Sequence, residues 1–142
     1  MAHQISVFAE NKPGRIERVA RILQGTGVNI RAITIATSGS FGVIKLLVDD
    51  PGKAQAALAA DGLSVSMREI VALLMEDRPG GLLEVAEILG REGINIEDAY
   101  GFVIEDKKRA VLVIEVEKIP EVLDILTRRG LSALTDDEIY AL

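Results

Sequence analysis

Two short stretches hold the residue types best suited to chemistry. In "NKPGRI", Asn11 to Ile16, an amide, a proline and a glycine precede a run of helical periodicity, and "DRPGGL", Asp77 to Leu82, has the same form. A glycine at a helix start removes the side chain that would shield the first-turn N–H groups. Those unpaired donors, together with the helix dipole, favour a carboxylate by about 0.3–1 kcal/mol. Gly14 and Gly80 each create such an opening. A plain strand-to-helix turn with an Asx residue near the cap accounts for a single copy equally well. A second pair, Asn29 and Asn95, lies just beyond a glycine and before a β-rich run. Asn tolerates a tight left-handed entry to a strand, and its amide also offers a donor and an acceptor to a zwitterion. If the two halves pair through their second strands, each Asn approaches the other half's helix start, and the sites are shared.

Other chemistries lack their residues. There is no cysteine, which excludes disulfides, thiolate metal sites and thiol nucleophiles. The only histidine, His3, stands beside the initiator, where a frayed end is expected. The carboxylate pairs Asp49-Asp50, Glu105-Asp106 and Asp136-Asp137 fall at predicted turns or ends, where capping and solvation explain them. No phosphate-binding loop or nucleophile elbow is present. The expectation is therefore no catalytic residue, no metal and no cofactor. "SGSFGVIKL" has the flavour of an RNA-binding strand, but stacking needs aromatic rings and the chain has three Phe, two Tyr and no Trp. Phe41 reads better as a core or edge aromatic.

The elements that position these loops are written twice. At an offset of 66, Asn11–Ile30 and Asp77–Ile96 agree at nine of twenty positions, including Pro13/Pro79, Gly14/Gly80, Asn29/Asn95 and Ile30/Ile96. "QISVFAE" has a period of two, then Ile16, Val19, Ala20 and Leu23 fall at i, i+3, i+4 and i+7. That predicts a strand, then a helix from about Gly14 to Gln24. "NIRAITIAT" and "FGVIKLLVD" around "SGS" predict a hairpin, "DPGKAQAALAAD" a helix capped by Asp50, and "LSVSM" a fourth strand. The second half repeats the order with "VALLME", a helix from Gly80, "IEDAYGFVI", "RAVLVIEVE", a helix from about Pro120 to Arg129, and "LSALT". The downstream match slips to offsets of 68 and 69, which implies a slightly longer second hairpin. The tail "EIYAL" echoes "EIVAL" at the junction and is expected to pack as the junction does.

Bulk properties bound the rest. The 142 residues are 49% hydrophobic, with a mean hydropathy of +0.27, too apolar for a disordered chain. No segment reads as a signal peptide or bilayer span, and a cytoplasmic location is expected. The net charge of −6 is uneven: residues 1–70 hold 8 Lys/Arg against 6 Asp/Glu, and residues 71–142 hold 8 against 16. That argues against a nucleic-acid partner, whose phosphates need cations. No flexible linker separates the halves, so a fused, rigid pair is expected.

The pattern of a strand, then "ENKPGRI" or "EDRPGGL", a helix, then "GVNI" or "GINI" resembles the ACT domain, an amino-acid-sensing module attached to many biosynthetic enzymes. The resemblance covers nearly the whole chain as two copies, residues 1–69 and 70–142. It implies an α+β fold of two ferredoxin-like βαββαβ units side by side, with an eight-stranded antiparallel sheet and four helices on one face. It also implies a non-enzymatic regulatory protein that binds a small amino acid between its units, with a metabolic enzyme and a second copy as candidate partners. An interaction subunit that docks onto a metabolic enzyme with vestigial pockets is the alternative. In serine-sensing members, the loop Asn and the Asn of "VNI" in the partner hold the ligand. Asn11 with Asn95 matches one such pocket and Asn29 with Asp77 the other. Pro13, Gly14, Arg15, Ile16 and Ile30 line the first copy's share, and Pro79, Gly80, Gly81, Leu82 and Ile96 the second's. Asp77 in place of Asn, and Gly81 in place of Arg15, are departures that should make the two pockets differ.

Overall fold

A computed structural model describes all residues, 1–142, as two units, His3–Arg68 and Met1–Ala2 with Glu69–Leu142. In the first unit, β1 (Ala2–Glu10) leads through the Asn11–Gly14 loop into α1 (Arg15–Thr26). Then follow the hairpin β2 (Ile30–Ser38) and β3 (Phe41–Val48), α2 (Pro51–Ala60) and the start of β4 (Ser64–Glu76). The strand order here is β2-β3-β1-β4, and β3 runs antiparallel to both neighbours, with Val7 opposite Ile44 and Ile35 opposite Ile44. Alternation sends Ile5, Val7, Ile44, Leu46 and Val48 to one face, where they pack with Val19, Leu23, Ala54 and Leu58 from the helices. Each fully buried side chain of this size contributes about 1.5–3 kcal/mol.

The second unit takes the rest of β4, then α3 (Gly81–Arg91), β5 (Asp98–Glu105), β6 (Arg109–Glu115), α4 (Ile119–Arg128) and α5 (Asp136–Tyr140). Its strand order is β4-β6-β5. Val71, Leu73, Leu112 and Ile114 meet Val85, Leu89, Val122 and Leu126 in a core of its own. The second hairpin is longer, with residues 106–108 in its turn against 39–40 in the first, and a register irregularity between Val103 and Glu105.

Six strands and five helices stand where eight strands and four helices were expected. Two physical causes account for the difference. "LSVSM" and "VALLME" run together in the single 13-residue β4, because "REI" between them offers no glycine or proline to turn the chain. "LSALT" makes only an isolated bridge, Leu73 opposite Ala133, with the Leu134 N–H donating to the Ala72 carbonyl at 2.8 Å. Just beyond it, Thr135 and Glu138 form a reciprocal capping box and pull the chain into α5. The tail therefore does not pack as the junction does, since "EIVAL" lies in β4 and "EIYAL" largely in α5.

Smaller expectations shift too. Val19 and Leu23 are buried as the helical period predicts, whereas Ala20 is exposed and Ile16 is 46% exposed. Asp50 caps α2 through a 3.0 Å bond from the Lys53 N–H, as expected. His3 lies within β1 and not in a frayed end. No helix is long and apolar enough to cross a membrane.

Candidate functional site

Both helix starts have the predicted backbone. Gly14 and Gly80 sit at φ +88° and +89°, in left-handed conformations that side chains disfavour, and no side chain caps either helix. Each loop is tied to its own unit's hairpin. The Asn11 N–H donates to the Ser40 carbonyl at 2.7 Å, and its Nδ2 donates to the Gly39 carbonyl at 3.2 Å. Asp77 takes the same position with the opposite chemistry: its carboxylate accepts the Lys107 N–H at 2.7 Å, and its own N–H donates to the Lys108 carbonyl at 3.1 Å. The Asn-to-Asp change thus follows the hairpin each residue must hold.

Around Gly14 the first unit opens a cleft of about 420 Å³, lined by Lys12, Pro13, Gly14, Arg15, Arg18 and Phe41 among others. Two of its cations are already committed. Lys12 pairs with Glu10 at 3.3 Å, and Arg18 reaches the Asp61 carboxylate at 2.9 Å and the Asp61 carbonyl at 2.6 Å. Arg15 is different. Its Nη2 donates to the Thr37 hydroxyl at 3.1 Å, a neutral acceptor, while Nη1 is shut off from solvent without any acceptor. An unmatched guanidinium donor at a helix start draws an anion.

The corresponding place in the second unit is smaller and filled from within. A cavity of about 200 Å³ there is lined by Glu76, Gly81, Glu84, Ile88 and Leu131 among others. Arg78 bonds both Glu76 and Glu84, which raise its pKa above the ordinary arginine value, and Gly81 is buried with its N–H on the Arg78 carbonyl at 3.0 Å. A Cβ on Gly81 would overlap the Glu76 carbonyl oxygen, so this glycine lets the helix close onto the strand.

The two asparagines of the "NI" motifs lie elsewhere. Asn29 brackets Asp49, donating its N–H to the carboxylate at 2.9 Å and accepting the Asp49 N–H at 3.1 Å. It therefore sits at the opposite end of the first unit's sheet from Asn11, and within a unit the two amide positions do not meet. Asn95 lines a cavity of about 290 Å³ with Glu92, Glu97, Glu117, Lys118 and Glu121. There Arg129 bonds Glu92 at 2.6 and 3.1 Å and holds that carboxyl below its usual pKa. Ile30 and Ile96 pack against the cores, while Ile16 and Leu82 are largely exposed, and Pro13 and Pro79 are exposed loop residues.

Sequence reasoning passed over Lys12, Arg18, Thr37 and Gly42 as site residues. Phe41 was read as a core or edge aromatic; it is 61% exposed at the start of β3 and lines the cleft. Thr37 and Gly42 carry a signal only when the hairpin register is known, since they face each other across β2 and β3.

Residues 1–142 match the family described as an ACT domain pair, and the chain belongs to that family. No curated protein sequence matches it. Among solved structures it is similar to protein BT0572 from Bacteroides thetaiotaomicron, with 31% identity, a TM-score of 0.92, and 99% of this chain and 96% of that one covered. The regulatory subunit of aspartate kinase from Thermus thermophilus, in its ligand-free form, shares the fold at 19% identity and a TM-score of 0.66, covering 89% and 91% of the two chains. The corresponding subunit from Thermus flavus shares it at 18% identity and a TM-score of 0.61, covering 90% of each.

Proposed function

We propose that this ACT domain pair is a non-enzymatic regulatory protein that binds a small amino acid at the start of α1. The observation that carries the reading is the Gly14 cleft: an uncapped helix start beside an Arg15 donor without a partner, in a space of amino-acid size. The α-carboxylate of the ligand sits on the first-turn N–H groups and in the field of the helix dipole. The regulatory-subunit neighbours supply the second half of the reading, in which occupancy of the cleft is relayed to a metabolic enzyme. A thermal-shift panel of the common amino acids tests it. At a hundred times its Kd a specific ligand stabilises the fold by about 2.7 kcal/mol. A panel without any shift at millimolar concentration sinks the sensing role.

A second reading, docking onto an enzyme subunit, is favoured by one feature. Phe8 and Phe41 are 49% and 61% exposed and share an apolar hollow with Ala36 and Val43 on the first unit. Such a patch is where a partner would bury area. Pull-down from the native host with Ala36→Glu, at a residue of the hollow that does not line the cleft, distinguishes the two: docking is lost in this variant, whereas amino-acid binding in the cleft survives it.

A further inference from the structure

The two helix starts differ at three positions at once, and the three belong together. In the first unit Arg15 lies over β3 with its Nη2 on Thr37, and an added Cβ at Gly42 would come within 2.7 Å of its Nη1. Thr37 and Gly42 are opposite each other in the β2–β3 ladder. In the second unit the same ladder position, on β5 and β6, is held by Val103 opposite Ala110, and the helix residue matching Arg15 is Gly81. Thus the cation, the hydroxyl that holds it and the bare backbone that makes room for it are present together in one unit and absent together in the other. A solvated surface arginine needs neither a glycine beneath it nor a hydroxyl to hold it. Nor is a buried Nη1 without an acceptor a resting place that structure alone favours, because an unmatched charged donor costs free energy when shielded.

We infer that Arg15, seated on Thr37 and Gly42, is the specificity-determining cation of the α1 cleft, and that the cleft takes an amino acid with an acidic side chain. This rests on the reading of that cleft as the ligand site. The α-carboxylate occupies the helix start, and the side-chain carboxylate lies in the field of the Arg15 guanidinium, whose charge is fixed at any ordinary pH. Lys12 and Arg18 add positive potential at the rim, already offset by Glu10 and Asp61. The matching place at α3 binds no such ligand, since Arg78 is spent on Glu76 and Glu84, and Val103 and Ala110 leave no seat. Gly42 and Thr37 are positioning residues that act through Arg15.

Isothermal titration of the full chain with L-aspartate and L-glutamate, against L-asparagine and L-glutamine, decides it. One acidic amino acid should bind at least tenfold tighter than its amide, at one site per chain, and Arg15→Gln should erase that preference. Gly42→Ala and Thr37→Val should each lower the preference, and neither should lower it further when added to Arg15→Gln. Thr37→Val keeps the test sound if Gly42→Ala disturbs the hairpin. A neutral amino acid bound as tightly, with Arg15→Gln without effect, overturns this inference and leaves the sensing role standing. Silence from every amino acid overturns both.

Discussion

At the scale of single residues, the side chains that matter here do so through what surrounds them. Gly81 is required by the closeness of the Glu76 carbonyl, so Gly81→Ala should destabilise the second unit by about 1–3 kcal/mol in a denaturant melt. Gly14→Ala meets open space and strains only the backbone at φ +88°, which costs about 1–2 kcal/mol. The same substitution at Gly42 strains no dihedral, and its cost lies in the displaced guanidinium and in a tight 3.0 Å approach to the Ala36 carbonyl oxygen. Asp50 supplies a side-chain cap that accepts the Lys53 N–H, and Asp50→Ala should cost about 1 kcal/mol. The proline-glycine helix starts and Asp50 were legible from residue type, because their conformational demands are local. Arg15 was legible as an asymmetry, but its seat was not, since Thr37 and Gly42 become its neighbours only through strand register.

At the scale of elements, α5 and β4 decide how the repeat is broken. Thr135 and Glu138 stabilise α5 reciprocally, and Ile139 from that helix is buried. Thr135→Ala should therefore lower the melting temperature and raise hydrogen exchange at Glu138, while exchange in α1 stays unchanged. A test of core packing belongs here too: Leu89→Ala, at a position 1% exposed, should cost about 2–5 kcal/mol. Helix and strand types followed from periodicity in almost every case. The two failures, "LSALT" and the strand break expected before "VALLME", concern short runs whose state depends on a ladder partner or on a turn that was absent. The exposure of Ile16 and Ala20 has a similar origin, because periodicity defines a helical face but not which edge of it a sheet covers.

At the scale of the whole molecule, charge links stability to pH at both ends of the scale. Hydrogen bonds from Arg129 to Glu92, and from Lys108 and Arg109 to Glu105, hold both carboxyls below their usual pKa. Depressed carboxyls contribute stability that is present above their unfolded values and lost as pH falls through the folded ones. Denaturant melts taken from about pH 6 downward should show this loss beginning near the ordinary Glu value of about 4.3, and Glu92→Gln with Glu105→Gln should flatten it. Tyr100 behaves in the opposite sense. Burial first, then the nearby Asp98 and Glu115, push its phenol upward, so the folded state holds its proton longer than the unfolded chain. The stability it contributes is complete below the ordinary tyrosine value of about 10 and is lost as pH rises beyond it. Ultraviolet titration should show Tyr100 ionising later than an exposed tyrosine, and Tyr100→Phe should remove the alkaline loss.

What the sequence determined by itself was the duplicated strand and helix grammar and the two glycine-opened helix starts. Each of these depends on residue types a few positions apart, and backbone conformation responds to neighbours at that range. Tertiary structure alone decided that one helix start is open and cationic while its copy is closed by its own Arg78, Glu76 and Glu84. That difference rests on Thr37 and Gly42 facing each other beneath Arg15, where Val103 and Ala110 face each other in the copy. A register pairs residues distant along the chain, and only the folded ladder brings their hydroxyl, their missing Cβ and a guanidinium within hydrogen-bonding reach.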